Sequence, residues 1–425
     1  MQQLTFIDVS AFAEGAPGKG HPFAFHSKLI DAADLSFSNS FVFGPVQEAT
    51  GVVFPIFTRK FFDRGLGNFF QKIEMKQDLA RANAKLDSIP GFKVLHFFEG
   101  GLRDLTFLAE LLSQRRDFVA VFNFFSLEPW LQILTSKFPG SKNVRKKLRE
   151  LITELSENVA FTCDSARMQT LYAKHLEIKE ISIYPLFSSV RPPAKTDPDW
   201  SKRKYSFLFT PRTWSEQRLV IKALGILASS DAQTHCVAIA PRWKANFNPK
   251  KIRNLRTSGI NAETIKGPLS HNEYGDLFHQ SKVVVLPYLD KHYILGSSGK
   301  VLDSRMASSL TVAPINTSAG QLVLKKGWGR AIDISPKNLA LVLSEIDLED
   351  KPEFEDADPS AEQCIQEIVD LSRNLKYSEK TLRSMSFLYA LPFLLGLKGT
   401  KWTLIHLIAA PLLRVAKKWR KMFMK

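Results

Sequence analysis

Short runs of apolar residues alternate with stretches of helical periodicity along the first half of the chain. These runs occupy residues 4–9, 40–44, 92–98, 118–125, 158–163 and 180–185, and a helix is predicted to begin near His21. Apolar runs separated by helices are typical of parallel strands that are buried on both faces. The pattern therefore predicts a doubly wound α/β domain over residues 1–190.

The same alternation resumes after a segment of different composition. Residues 188–204, SSVRPPAKTDPDWSKRK, are rich in proline and charge and lack apolar periodicity, which is typical of a linker. Beyond it, apolar runs occupy residues 205–211, 235–241, 262–267, 282–288 and 310–315. We expect a second Rossmann-like domain over residues 205–345, a cleft between the two domains, and a helical C-terminal region over residues 360–425.

The positive charge is concentrated at the C-terminus. The chain has 58 Lys and Arg residues against 42 Asp and Glu, a formal net charge of +16. No acid follows Glu379, whereas ten Lys and Arg residues do, and without them the balance is 48 basic against 42 acidic residues. Since the excess belongs to the tail and no nucleic-acid-binding motif is present, we do not expect a nucleic-acid partner.

The tail has the composition of a membrane-surface segment. Residues 384–397 form an uncharged run that is shorter than the roughly 20 residues needed to span a bilayer. Residues 402–423 then combine apolar residues, two Trp and clustered Lys and Arg, as in helices that lie in a membrane interface. We expect residues 384–425 to bind an anionic membrane surface; the alternative is that 384–397 packs on the domains and leaves a soluble basic tail.

The cysteines and the N-terminus favour a cytoplasmic setting. Cys163, Cys236 and Cys364 are far apart and have no metal-ligand spacing, so neither a disulfide framework nor a zinc site is expected. The N-terminal residues MQQLTFIDVSAF lack the basic and long apolar regions of a secretion signal and instead predict an opening strand. Combined with the tail, this predicts a protein attached peripherally to the inner face of the cell membrane.

A Gly-Ser-Ser-Gly stretch at residues 296–299 is the main candidate for a ligand site. It follows the apolar run 282–288 and precedes a short predicted helix, so it lies where ligands of open α/β sheets bind. Ser297 or Ser298 can cap that helix, and Gly299 allows close approach of an anion such as a diphosphate. Asp303, one turn later, could accept hydrogen bonds from ribose hydroxyls. An ordinary capped helix with a solvent-facing Asp is the alternative.

Three stretches, in order, resemble the nucleotide-binding half of the GT-B glycosyltransferases, in particular the group 1, retaining-type family. They are FLFTPRTWSEQRLVIKAL, GPLSHNEYGDLFHQSKVVVLPY and GSSGKVLDSRMASSLTVAP, within residues 205–315. The resemblance implies donor-diphosphate contacts for Arg212 and Arg218, with added charge from Lys300 or, alternatively, a solvated lysine there. It further implies that Asp303 holds the ribose. Residues implied to offer backbone contacts to the donor are Ser297, Ser298 and Gly299.

The chain departs from this family at two positions. Gln217 stands where the family often has a lysine five residues after the arginine. Leu295 stands where the family usually has the first glutamate of a Glu-x7-Glu pair. The second departure leaves the retaining or inverting outcome open.

The first half resembles the acceptor side of the same family. The loop EGAPGKGHP, with Gly18, Gly20 and His21, resembles the glycine-rich turn that opens the acceptor domain, although a tight strand-to-helix turn is the alternative. The resemblance implies that His96, at a strand end, contacts the donor sugar; a core histidine is the alternative. Glu99 is our candidate general base if the reaction inverts, against a capping or ion-paired glutamate, and Asn123 is expected to bind acceptor hydroxyls.

Taken together, the sequence predicts a glycosyltransferase that moves a sugar from a nucleotide-sugar donor to a glycan or lipid-linked acceptor in cell-envelope polysaccharide synthesis. Arginines and a helix N-terminus can stabilise a leaving diphosphate, so neither a metal nor another cofactor is expected. The alternative is a noncatalytic sugar-binding or scaffold subunit of a membrane-associated synthesis complex.

Overall fold

The computed structural model describes most of two α/β domains. The described residues are 4–9, 21–45, 53–57, 69–124, 141–178, 180–184, 186–230, 234–240, 249–266, 269–289, 292–296, 298–354 and 360–375. The predicted loop residues Gly18 and Gly20, residue Ser297 and the tail 384–425 lie outside these ranges.

The first domain is built on a parallel sheet of seven strands. The strands are β1 (Leu4–Val9), β2 (Asn39–Pro45), β3 (Val53–Phe57), β4 (Phe92–Gly100), β5 (Phe118–Phe124), β6 (Val159–Cys163) and β7 (Ser182–Ile183). Their order in the sheet is β3-β2-β1-β4-β5-β6-β7. The strand predicted at residues 180–185 is thus only two residues long. The pattern missed β3, whose five residues include Pro55, a residue disfavoured in strand interiors.

Helices cover both faces of this sheet. They are α1 (His21–Ala33), α2 (Phe69–Asp87), α3 (Leu102–Gln114), α4 (Ser141–Leu155) and α5 (Ala166–Leu176). Side chains of α2 to α5 form one core with the strands, in which Phe97, Phe122 and Phe161 are buried. The helix predicted to begin near His21 does begin there.

The second domain has a parallel sheet of six strands. They are β8 (Tyr205–Phe209), β9 (His235–Ile239), β10 (Ile260–Thr264), β11 (Ser281–Val285), β12 (Leu310–Pro314) and β13 (Gly329–Ile332), in the order β10-β9-β8-β11-β12-β13. The helices are α6 (Trp214–Ser230), α7 (Pro249–Thr257), α8 (His271–His279), α9 (His292–Leu295), α10 (Gly299–Met306), α11 (Ser318–Lys326) and α12 (Pro336–Glu345). The four-residue strand β13 was not predicted, because so short a run carries no distinct pattern.

The last described helix, α13 (Ala361–Arg373), returns to the first domain. Cys364, Ile365 and Ile368 are buried against the face that α1 also covers. The beginning of the predicted C-terminal region, 360–375, is therefore part of the first domain's core. No helix among the described residues is long and apolar enough to cross a membrane.

Each sheet has one point where the strand order reverses direction. In the first domain this point lies between β1 and β4, and in the second between β8 and β11. Loops leaving the carboxyl ends of such strand pairs diverge and leave a crevice, which is where open α/β sheets bind ligands. The predicted fold class, two doubly wound Rossmann-like domains, is confirmed.

Candidate functional site

The crevice of the second domain is organised by a carboxylate that the sequence analysis missed. Glu216, in the first turn of α6, is fully buried. Its Oε2 accepts hydrogen bonds from the backbone N–H groups of Arg212 (2.6 Å) and Thr213 (2.9 Å), and its Oε1 accepts one from Leu289 (3.0 Å). The Thr213 hydroxyl accepts from the Glu216 N–H (3.2 Å). Thr213 and Glu216 thus form a capping box, and its Thr-x-x-Glu pattern is the signal that was available in the sequence.

A chain of aromatic contacts joins Arg212 to the start of α10. The Arg212 guanidinium hydrogen-bonds the Tyr293 hydroxyl and lies 5.0 Å from the centroid of that ring. The rings of Tyr293 and Tyr288 are stacked at 3.6 Å and 5°. The Tyr288 hydroxyl is 2.8 Å from the hydroxyl of Ser298. Two segments about 85 residues apart in sequence therefore meet at the crevice.

The N-terminus of α10 is not capped by the residue that precedes it. Ser298 is the N-cap, but its side chain makes no capping hydrogen bond and instead contacts Tyr288. By contrast, Thr317 and Ser335 cap α11 and α12 in the usual way. Helix N-terminal amides with no side-chain cap, at the positive end of the helix dipole, favour an anion. Gly299 and Lys300 form the first turn of this helix.

Asp303 occupies a different environment from the one predicted. It is fully buried, and its Oδ1 accepts hydrogen bonds from Ser188 Oγ (2.9 Å) and from the N–H (2.9 Å) and hydroxyl (3.1 Å) of Ser189. Its Oδ2 accepts from the Tyr274 hydroxyl (2.8 Å). A ribose would have to displace these donors, so the geometry does not favour the predicted ribose contact. Asp303 instead holds the interdomain linker against α8 and α10.

The linker is also held from the first domain. Lys28, in α1, donates to the carbonyl oxygens of Ser188 (3.1 Å) and Val190 (2.8 Å). Burial lowers the pKa of Lys28, and the charges of Asp303 and Glu362 act in the opposite direction. A cation and an anion therefore lie on either side of the segment that joins the domains.

The other predicted donor residues are separated by the fold. Arg218 is exposed on α6, whereas Gln217 beside it is buried. The structure does not bring Arg218 into the contact chain of Arg212, and its diphosphate role stays a prediction. Leu295, at the position of the missing glutamate, packs against the core of the first domain.

The predicted sugar contact, His96, belongs to a buried chain of polar groups. Its Nδ1 is 2.9 Å from Asp8 Oδ1, and its Nε2 is 2.9 Å from the Tyr184 hydroxyl. That hydroxyl accepts from the Cys364 thiol at 2.8 Å, and Asp8 also hydrogen-bonds His26. Since His96 is fully buried and both ring nitrogens have protein partners, the structure does not support its contact with a donor sugar.

This chain stabilises charge inside the first domain. Burial raises the pKa of Asp8, but the charges and hydrogen bonds of His26 and His96 outweigh that effect and hold the pKa well below its usual range. Burial also raises the pKa of the Cys364 thiol and of the Tyr184 hydroxyl. Both groups are thus kept neutral. This chain of buried polar groups links β1, β4 and α1 to α13 and supports the return of α13 to this domain.

Asn123 is likewise enclosed. Its Nδ2 donates to the carbonyl of Phe98 (2.8 Å) and to Asp164 Oδ1 (2.8 Å), and its Oδ1 accepts from the Thr162 hydroxyl (3.1 Å). Asn123 therefore ties together the carboxyl ends of three strands, and the structure does not place it at an open surface. Glu99 lies in β4, but its side chain, like that of His21, is outside the described part.

The two domains touch beside the crevice. Ser165, the N-cap of α5, donates from its hydroxyl to the carbonyl of Leu295 at 2.5 Å. Arg167 donates to the carbonyls of Ile294 (3.1 Å) and Asn316 (2.5 Å). The first domain thus contacts α9, the short helix that carries Tyr293. Among the residues that the structure describes, no cluster of three or more His, Cys, Asp or Glu side chains could hold a metal ion.

Comparison with solved structures identifies the fold. The chain is similar to sucrose-phosphate synthase from Thermosynechococcus elongatus, with a TM-score of 0.56 and 10% identity over 99% of each chain. It is similar to Anabaena HepE in complex with UDP-glucose (TM-score 0.51, 12% identity, 87% of this chain and 98% of that one). It is also similar to UDP-GlcNAc 2-epimerase from Methanocaldococcus jannaschii (0.51, 11%, 87% and 99%).

The chain therefore has a GT-B glycosyltransferase-like fold, as the sequence resemblance implied. At identities of 10 to 12%, these likenesses show the fold alone. No protein-family model matches the chain, and no curated protein matches it in sequence.

Proposed function

We propose that the protein is a glycosyltransferase that uses a nucleotide-sugar donor. The observation that carries the proposal is the contact chain from Arg212 through Tyr293 and Tyr288 to Ser298, which connects a guanidinium to the α10 N-terminus at the reversal point of the sheet. A guanidinium and a helix N-terminus are complementary to a diphosphate. Neighbours of this fold are described as bound to UDP-glucose or as acting on UDP sugars, which supports the same donor class.

In this proposal the chain's own groups carry the chemistry. Arg212 and the first turn of α10 stabilise the negative charge that develops on the leaving nucleoside diphosphate, without a metal. Contacts of Ser165 and Arg167 with α9 keep the two domains together around the reacting groups and limit the access of water. Glu99, in β4, remains our candidate for the general base that activates an acceptor hydroxyl.

The first test is a titration of the purified full chain with UDP, GDP, ADP, CMP and dTDP by calorimetry. Arg212→Ala and Arg218→Ala are a matched pair, because both remove an arginine but only Arg212 belongs to the contact chain. We expect micromolar binding of one nucleotide, a loss of about tenfold or more in Arg212→Ala, and little change in Arg218→Ala. Failure of all five nucleotides to bind would reject the proposal.

A noncatalytic sugar-binding or scaffold subunit is the second candidate. It is favoured by the leucine at position 295 and by the enclosure of Asp303. Release of free nucleotide from the matching nucleotide sugar, in the presence of membrane extract as acceptor source, separates the two. Release that Glu99→Gln abolishes indicates transfer, whereas binding without turnover indicates the noncatalytic role.

The acceptor and the location belong to the proposal as well. We propose a glycan or lipid-linked acceptor of cell-envelope polysaccharide synthesis, met at the cytoplasmic face of the membrane by the basic tail 384–425. Deletion of residues 384–425 is expected to move the protein from the membrane fraction to the soluble fraction. Retention in the membrane fraction would contradict the role of the tail.

A further inference from the structure

Glu216 connects two loops that leave opposite sides of the crevice in the second domain. One loop follows β8 and contains Arg212, and the other follows β11 and contains Leu289. The three backbone N–H groups that donate to the Glu216 carboxylate come from both loops, with N···O distances of 2.6, 2.9 and 3.0 Å. β8 and β11 are adjacent strands at the point where the sheet order reverses. This single carboxylate therefore joins the two walls of the candidate site.

Helix capping alone does not account for this arrangement. Glu273 occupies the same capping-box position at the start of α8, where it accepts from the Ser270 N–H at 2.7 Å, but it is exposed. Glu216 is fully buried and has in addition a partner 73 residues away in sequence. Burying a carboxylate is costly unless it is hydrogen-bonded, and a glutamate can cap a helix without being buried, as Glu273 does. The extra bond to Leu289 indicates a tertiary role.

The two loops carry the groups that the proposed function requires. Arg212 follows β8 directly, and its own backbone N–H is one of the donors to Glu216. Leu289 follows Tyr288, which stacks on Tyr293, the residue that holds the Arg212 side chain. Glu216 thus restrains the backbone at both ends of the contact chain that runs from Arg212 through Tyr293 to Tyr288.

We infer that Glu216 is a positioning residue: it holds the two loops in register so that the Arg212 guanidinium faces the α10 N-terminus and can bind the diphosphate of a nucleotide. This inference rests on the proposed function for its ligand, but the connection between the loops is independent of any ligand. Glu216 is fully buried and both of its carboxylate oxygens accept hydrogen bonds from backbone N–H groups, so it acts through Arg212 and does not touch the anion.

Glu216→Gln changes the hydrogen bonds of this side chain without changing its size. A carboxamide keeps the volume but has one acceptor oxygen and one donor NH2. Its single oxygen can accept from the N–H groups of Arg212 and Thr213 or from that of Leu289. The NH2 group then points at the remaining N–H, with which it cannot form a hydrogen bond. The variant is expected to keep the helix cap or the loop connection but not both.

The experiment compares Glu216→Gln with Glu273→Gln, which alters the exposed capping box of α8. Binding of UDP, GDP and ADP and of the corresponding nucleosides is measured by calorimetry below the melting temperature, with and without Arg212→Ala. We expect Glu216→Gln to weaken binding of the diphosphate about tenfold and of its nucleoside less than twofold. In the Arg212→Ala background the same change is expected to add less than about twofold, because residues that act through one another are not additive.

A second variant covers the case in which Glu216→Gln does not fold. Leu289→Pro removes the N–H that donates to Glu216 Oε1 and also fixes φ at this position, whereas Leu289→Ala retains the N–H. Leu289 is partly exposed, so neither change disturbs a core. The proline variant is expected to weaken diphosphate binding and to speed amide exchange at residues 212 and 213, whereas the alanine variant does neither.

The outcomes distinguish this inference from the proposed function. If Glu216→Gln and Leu289→Pro bind the diphosphate like the wild type, or if their effects are fully additive with Arg212→Ala, Glu216 is only a helix cap. If the wild type binds no nucleotide, the proposed function and the anion part of this inference fail together. The amide exchange of the two loops then decides by itself whether Glu216 connects them.

Discussion

Replacing Asp303 by alanine should destabilise the fold rather than merely weaken a ligand contact. The carboxylate is fully buried and accepts four hydrogen bonds of 3.1 Å or less from Ser188, Ser189 and Tyr274. Alanine leaves all four donors without this acceptor. It also removes one of the two anions whose charges counteract the effect of burial on the pKa of Lys28.

The size of the effect follows from these contacts. Each buried donor left without a partner costs about 1–3 kcal/mol, although water entering the cavity recovers part of the sum. We therefore expect Asp303→Ala to lower the free energy of unfolding by about 4 kcal/mol. For a domain of this size that corresponds to a fall of about 10 °C in melting temperature.

Calorimetric melting of three variants tests this reasoning. Asp333→Ala is the control, because Asp333 is exposed. Asp303→Asn keeps an acceptor for the linker donors, and its NH2 can donate to the Tyr274 oxygen, so we expect a fall of only about 1–2 kcal/mol. A melting temperature of Asp303→Ala equal to that of the control would refute the role of Asp303 in holding the linker.

Nucleotide binding by the same variants tests the predicted contact between Asp303 and the ribose. If Asp303→Asn melts close to the wild type but binds the nucleotide more than tenfold more weakly, the carboxylate contacts the ligand as well. Unchanged binding in Asp303→Asn would leave Asp303 with the structural role alone.

Three further predictions concern other parts of the chain. Tyr184→Phe removes the hydroxyl that accepts from the Cys364 thiol, and urea unfolding should show a loss of about 1–2 kcal/mol; unchanged stability would contradict the importance of that buried chain. Burial raises the pKa of Asp117, but hydrogen bonds from an arginine and a lysine bring it to about 2, so its contribution is present above the unfolded pKa of about 4 and is lost as the pH falls through 2. Asp117→Asn should therefore flatten the dependence of melting temperature on pH between about 4 and 2, and an unchanged slope would refute this. Gly320→Ala would place Cβ 2.0 Å from a backbone oxygen and should lower the melting temperature, whereas Gly225→Ala, with nothing within 4 Å, should raise it slightly; equal melting temperatures would contradict the contact.

The architecture could be predicted because its signal is local. Strands β1, β4, β5, β8 and β11 are apolar runs buried on both faces, and such runs differ from amphipathic helices in length and period. β3 and β13 were missed because one contains a proline and the other has only four residues. The reversal points of both sheets followed from the order of the strands in space, which the pattern along the chain does not contain.

The candidate site was predictable only in part. Arg212 and Ser298 were recognised from the order of three motifs, and the structure brings them into one contact chain. His96 and Asn123 were equally polar and equally close to strand ends, yet each is enclosed by protein partners. Those partners lie 25 to 88 residues away in sequence, so the residues next to His96 and Asn123 could not indicate them.

The comparison of Asp303 with Glu216 shows why residue type was insufficient. Both are buried acids in the first or second turn of a helix beside the crevice, and both accept several hydrogen bonds, of which at least one comes from a distant segment. Asp303 was predicted to hold a ligand and Glu216 was overlooked, although each in fact joins two parts of the chain. Since α10 carries Asp303 one turn after the N-terminus proposed for the diphosphate, a ligand bound there would press on the helix that also holds the linker. Donor binding and the relative position of the domains are therefore expected to be coupled through α10.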